Sequence, residues 1–164
     1  MIKIGLLSDT HGYFDPRLKV FFSDCDEIWH AGDIGNILTA DEISAFKPLR
    51  AVSGNIDGTD VRIVYPQHQR FTCEGVNVWL THIGGYPGHY DFRIRDELKT
   101  DPPGLFIAGH SHILKIIPDK KLDLLFMNPG AAGKNGFHQI RTAVRFVIDG
   151  KNIRDLEVIE LGKR

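Results

Sequence analysis

The sequence predicts an α/β fold in which two sheets pack face to face with helices outside them. Three observations lead there. Short apolar runs end repeatedly in loops that hold Gly, Asp, Asn or His. Helix-like segments separate several of these runs over the first two thirds of the chain. The last third carries apolar runs with no helical pattern between them. Short apolar runs bounded by turn residues suit buried strands, so the chain begins as β-α-β and finishes mostly as β.

Taken in order, Ile2 to Leu7 predicts a first strand, followed by Ser8-Asp9-Thr10-His11-Gly12. A helix is expected over Pro16 to Ser23, where a proline suits the first turn and Leu18, Phe21 and Phe22 share one face. Glu27 to His30 is a second strand leading into Ala31-Gly32-Asp33, and Asn36 to Phe46 a second helix. Leu49 to Val52 gives way to Ser53-Gly54-Asn55-Ile56-Asp57-Gly58. Val76 to Leu80 ends at Thr81-His82, a charge-rich helix is expected over Asp91 to Lys99, and Leu105 to Ala108 ends at Gly109-His110-Ser111-His112. Leu114 to Ile117, Leu122 to Met127, Ala143 to Ile148 and Ile153 to Ile159 complete the strands, with Asp149-Gly150 as a hairpin turn. Nothing in the 164 residues looks like a linker or a repeat, so a single domain over 1–164 is expected.

Composition narrows the function. The net charge is −1 and no block of one sign stands out, which does not favour capture of nucleic acid or an anionic membrane, although a local basic patch stays open. The two cysteines, Cys25 and Cys73, are too few for a disulfide framework and lack metal-type spacing. The opening apolar run is short and ends in Asp9 and His11, unlike a signal peptide. No apolar stretch approaches the roughly 20 residues of a membrane helix. A cytoplasmic protein without membrane contact is the expectation; oligomeric state is open, a homo-oligomer included.

The informative feature is the placement of chelating side chains. Of eight histidines, His11, His82, His110 and His112 fall at the ends of expected strands, and Asp9, Asp33 and Asn55 fall at equivalent places after others. Loops leaving the carboxyl ends of strands in a layered α/β sheet converge on one edge. Asp9 and His11 are one residue apart, as are His110 and His112, and alternate residues of an extended turn point the same way. Singly, each has an ordinary explanation: a solvated loop histidine, a turn or capping aspartate, an Asn-Ile-Asp-Gly turn. Five such loops in one small domain are harder to explain so. Oxygen and imidazole donors without thiolate suit a borderline divalent cation, and seven candidates exceed the four that close a structural zinc site.

Asp9-Thr10-His11, Gly32-Asp33, Gly54-Asn55, His82 and Gly109-His110-Ser111-His112, in that order, resemble the calcineurin-like metallophosphoesterase superfamily. The short chain and the closing Asn128-Pro129-Gly130 resemble most its small prokaryotic phosphodiesterase branch, which is related to the retromer scaffold subunit. That resemblance implies a four-layer α/β/β/α sandwich of two mixed sheets flanked by helices. It implies two divalent cations, manganese first, with iron, zinc, cobalt or nickel acceptable to the same ligands. Asp9, His11, Asp33 and His112 would hold one cation; Asp33, Asn55, His82 and His110 would hold the other, with Asp33 bridging. A hydroxide between cations about 3.5–4 Å apart would attack a small phosphoester, with Asn55, Asp33 and His110 as the catalytic residues.

Two departures refine this expectation. Ile56 stands directly after Gly54-Asn55, where much of the superfamily has a histidine that protonates the leaving group. Good leaving groups, hence phosphodiesters over a general phosphatase role, are therefore expected, with His68 and His89 the nearest replacement histidines; Asp57 would only hold the Asn55 loop. Ile83 intervenes between His82 and Gly84-Gly85. The loop Gly84 to Tyr90, with Tyr13, Phe14 and Phe137, would border the substrate mouth or simply pack. The substrate-binding residues themselves are not identified by the sequence. The alternative from the same resemblance is a non-catalytic, protein-binding scaffold, which would not need every ligand position filled.

Overall fold

In the computed structural model, which describes residues 1–164, strands and helices follow one another as β1 (Ile2–Leu7), α1 (Pro16–Phe21), β2 (Glu27–His30), α2 (Ile37–Phe46), β3 (Leu49–Ala51), α3 (Thr59–Arg62), β4 (His68–Cys73), β5 (Val76–Thr81), β6 (Gly85–Tyr86), β7 (His89–Tyr90), α4 (Arg95–Thr100), β8 (Leu105–Ile107), β9 (Leu114–Asp119), β10 (Leu124–Pro129), β11 (Ile140–Asp149) and β12 (Asn152–Lys163). One five-stranded sheet has the order β12-β11-β1-β2-β3 and the other β4-β5-β8-β10-β9. In each, three strands run parallel (β1-β2-β3 and β5-β8-β10); antiparallel β4 and β9 close both edges of the second sheet, while the first ends on parallel β3 at one edge and on the antiparallel β11-β12 pair at the other.

Side-chain alternation along the strands builds four layers. Ile4 and Leu6 of β1 with Val144, Phe146 and Ile148 of β11 face Val78 and Leu80 of β5, Leu105 and Ile107 of β8 and Met127 of β10, forming the core between the sheets. Leu7, Ile28 and Ala143 point the other way, onto Leu18 of α1, Phe22 at its C-terminal end and Ile43 of α2. Trp79, Phe106 and Phe126 cover the outer face of the second sheet against Ile94 and Leu98 at α4. The expected α/β/β/α sandwich is what forms. No helix is long and apolar enough to cross a membrane.

Local chemistry explains the boundaries. Asp15 caps α1 by accepting from the Arg17 N–H, with Pro16 in the first turn. Asn36 caps α2 by accepting from the Thr39 N–H, so this helix starts one residue later than expected. The helix expected from Asp91 begins at Arg95, because the Asp91 carboxylate accepts from the Arg93 N–H at 2.9 Å and holds a turn there. The Gly84–Tyr90 loop is a small hairpin, β6 against β7. Gly150 turns β11 into β12 with a φ of 61°, and Asp149 pairs with Asn152 across it.

Candidate metal centre

All five parallel strands that end in a candidate loop end at the same place. β1 delivers Asp9 and His11, β2 delivers Asp33, β3 delivers Asn55, β5 delivers His82, and β8 delivers His110 and His112. Six of these side chains form two clusters, Asp9 with His11 and His112, and Asp33 with His82 and His110. The ligand atoms within each cluster lie within 4.8 Å of one another. Each cluster takes residues from both sheets, so the sandwich itself assembles the centre.

The backbone does this differently from the extended turn expected at Asp9–His11. Asp9, His11, Asp33, His110 and His112 all adopt left-handed backbone, with φ between 48° and 70°. Such values are uncommon outside glycine, with Asp and His among the better tolerated. A left-handed residue on each side of Thr10 bends the chain so that Asp9 and His11 reach one cluster, whereas the same pair about Ser111 sends His110 to one cluster and His112 to the other. Strain of this kind persists where the surroundings over-determine it. Gly54 is needed for a related reason: a Cβ there would fall on Asp33, against both its backbone N and its carboxylate.

Distances show how the clusters meet. Asp33 Oδ2 lies 3.5 Å from His11 Nε2 and 3.3 Å from His82 Nε2, between the two groups. Asp9 Oδ1 is 3.0 Å from His112 Nε2 and 3.8 Å from both His11 and His82 Nε2. Asp9 Oδ1, His11 Nε2 and His82 Nε2 are buried with no hydrogen-bond partner. Unsatisfied buried polar atoms are costly, and here they point at one another. His82 Nδ1 lies 2.7 Å from the Ala31 carbonyl, which only accepts, so Nδ1 carries the hydrogen and Nε2 offers a lone pair inward. Carboxylate oxygens and imidazole lone pairs converging without donors fit divalent cations.

Electrostatics agree. Burial would raise the Asp9 carboxyl, but His11, His112 and His82 outweigh it and hold Asp9 well below the usual carboxylate range. Burial likewise opposes the ionised Asp33, and the neighbouring His82 prevails, lowering it. Burial and the nearby His82 lower His110.

Residues beyond the ligands hold the loops. The buried Asp57 accepts from the N–H groups of Ile34, Gly35 and Gly54, so it ties the Asp33 loop to the Asn55 loop, more than holding the latter alone. Asn128 donates to Gly109 O and Ser111 Oγ, bracing the His110–His112 loop. His30 is fully buried; its Nδ1 accepts from the Gly32 N–H, and its Nε2 donates to Thr10 Oγ1, which in turn donates to Ile34 O. His138, which no motif in the sequence marks, lies 3.0 Å from His112, Nδ1 to Nδ1.

His30 yields a pH prediction. Burial pushes its imidazole down from 6.5 to about 4. The folded protein therefore binds fewer protons than the unfolded chain between those values. Stability is full above pH 6.5 and is lost as pH falls through about 4, by roughly 3 kcal/mol at 1.36 kcal/mol per pKa unit. Denaturant unfolding of chelator-treated protein will show this extra acid slope in wild type and a flatter one in His30→Gln. Equal slopes would dismiss it.

Asn55 is exposed and lines a pocket of about 210 Å³ with Gly54, His82, Arg62, Arg93 and His68. Of the two histidines near in sequence, His68 is thus in the pocket that includes ligand loops, while His89 lines a separate one with Arg95, Lys99 and Asp119. Phe14 is buried in the core beneath α1 and packs, and does not line a mouth. Tyr13 is half-buried under Lys134, whose Nζ is 4.0 Å from the ring centroid, and Phe137 is fully exposed.

Residues 2–151 match the calcineurin-like phosphoesterase superfamily domain. A probable metallophosphoesterase of Methanothermobacter thermautotrophicus is 30% identical over 167 residues, covering 97% of this chain and 92% of that protein. One of Mycoplasma pneumoniae is 34% identical over 119 residues, 69% of each chain. Among solved structures, Vps29 of Chaetomium thermophilum superposes with a TM-score of 0.75 at 15% identity over the whole of both chains. An archaeal phosphodiesterase gives 0.72 at 20% identity, over 98% of this chain and 100% of its own.

Proposed function

This chain belongs to the calcineurin-like phosphoesterase superfamily, and on that premise we propose that it is a cytoplasmic phosphodiesterase using two divalent metal ions. The observation that carries this reading is Asp33 Oδ2, within 3.5 Å of His11 Nε2 and 3.3 Å of His82 Nε2, at the join between two clusters of ligands. Asp9, His11, Asp33 and His112 would hold one cation and Asp33, Asn55, His82 and His110 the other. Bound there, the cations would supply an activated water and neutralise charge on a phosphoryl group.

The chain's own groups set the rest. Asn55, which lines a pocket with His82, would donate its amide to a phosphoryl oxygen. Asp57 keeps the Asp33 and Asn55 loops in register through its three backbone donors. Ile56 has no proton to give, so a leaving group must depart without help from that position. General acid assistance is worth roughly 10²–10⁴-fold, and its lack favours aryl over alkyl leaving groups.

Metal analysis paired with aryl phosphodiester and monoester assays tests the reading. The expected result is bound divalent cation, Mn²⁺-stimulated diester hydrolysis, a slower monoester rate, and loss of turnover on chelation that added Mn²⁺ restores. No turnover across a panel of metals, with metal bound, would overturn it. The scaffold alternative draws on the likeness to Vps29, which at 15% identity concerns fold alone. All seven ligand positions being occupied by coordinating side chains weighs against it. As a further check, Ile56→His should raise the rate on alkyl esters relative to aryl ones; an unchanged ratio would mean residue type at 56 does not set the leaving-group preference.

A further inference from the structure

We propose that His138 is a positioning residue that fixes which nitrogen His112 offers to a cation. His138 Nε2 is 2.8 Å from the carbonyl of Gly133. A carbonyl only accepts, so Nε2 carries the hydrogen and Nδ1 of the neutral ring is a lone pair. That lone pair faces His112 Nδ1 at 3.0 Å. His112 Nδ1 must then be the donor, which leaves its Nε2 without hydrogen, directed at Asp9 Oδ1 3.0 Å away. Two lone pairs at that distance call for a cation between or beside them.

The contacts close on themselves. The Gly133 N–H donates to the Asp9 carbonyl at 3.0 Å, so a ring runs from Asp9 through Gly133, His138 and His112 back to the Asp9 carboxylate. Asp9 follows β1 in one sheet and His112 follows β8 in the other. His138 thus clamps together two ligands of one cluster that no strand pairing connects. Both partners are shielded: His138 is buried, and Gly136 lies so close that a Cβ there would fall on the His112 ring. His82 gains the same tautomer from the Ala31 carbonyl; His112 gains it from another histidine.

The inference rests on the two-cation reading for its purpose but is tested without substrate. Long-range ¹H–¹⁵N correlation spectra of the chelator-treated full chain, at a pH well above the ordinary imidazole pKa, report which ring nitrogens carry hydrogen. The expected result is His112 protonated on Nδ1 and His138 on Nε2. In His138→Leu, His112 should move its hydrogen to Nε2, and Mn²⁺ affinity at this cluster should fall about 10–100-fold, the usual effect of losing such a partner. His138→Asn, whose side-chain oxygen can accept near the place of Nδ1, should keep the wild-type tautomer and most of the affinity. Wild-type His112 carrying its hydrogen on Nε2 would overturn the proposal even if neither variant folded. So would equal affinity losses in the Leu and Asn variants. Turnover enters neither measurement, so a failed diesterase assay and a failed tautomer assignment are told apart.

Discussion

Asp33→Asn should lower phosphodiester turnover by at least ~10³-fold while leaving the fold in place. Metal assistance is worth several kcal/mol of transition-state charge stabilisation, and each 1.36 kcal/mol is tenfold in rate. Asp33 is where that assistance is most exposed to loss, because one oxygen, Oδ2, lies within reach of His11 in one cluster and His82 in the other. Replacing the carboxylate removes the shared charge from both cation positions together. A single-cluster ligand such as His112 touches one of them. The fold should survive because the only hydrogen bond the Asp33 side chain accepts comes from the Ile56 N–H, at 3.1 Å to Oδ1, and an asparagine oxygen can accept it too. Metal content per chain should drop in parallel, with circular dichroism and chelator-treated unfolding near wild type. Wild-type-like turnover would reject Asp33 as the shared ligand.

The contrast between the ligands and their supports shows what a sequence discloses. Asp9, His11, Asp33, His82, His110 and His112 were legible because strand-end placement is a local pattern: an apolar run, then a chelator in a glycine-rich loop. The outcome that six of them form two clusters follows from topology, since parallel strands of two facing sheets end on one edge. Their left-handed backbone was not legible. It is imposed by partners far away in the chain, such as the Asp33 carbonyl that accepts the His11 N–H. His138 is not legible for the same reason, as its partner His112 is 26 residues earlier and its own surroundings carry no motif. Among the strands, β4 is not legible because an edge strand buries one face only. In His68–Cys73, Cys73 is buried and Phe71 partly so, and polar residues hide that alternation. α3 is a single turn after Gly58, too short for any periodicity to register.

Asp57 belongs to the same class of long-range support, and Asp57→Ala should destabilise the protein by roughly 3–6 kcal/mol. Its Oδ2 accepts from Ile34 N at 3.1 Å and Gly54 N at 2.8 Å, and its Oδ1 from Gly35 N at 2.8 Å. Each hydrogen bond to a charged group is worth about 1.5–3 kcal/mol, and a buried donor left unpaired costs about 1–3 kcal/mol. Through these bonds the one carboxylate joins the loops after β2 and β3. Against a typical total of 5–15 kcal/mol, such a loss shifts Tm by roughly 10 °C or more for a domain of this size. Asp57→Asn keeps one oxygen but turns an amide N–H toward a backbone N–H, so it should fall between wild type and alanine. The two aspartates then separate cleanly by experiment. Asp33→Asn should lose metal without losing chelator-treated stability, whereas Asp57→Ala should lose that stability first, and metal because the Asp33 and Asn55 loops no longer hold their spacing. If Asp57→Ala unfolds at the wild-type denaturant midpoint, the three N–H groups find other acceptors, and the carboxylate is not what joins the loops.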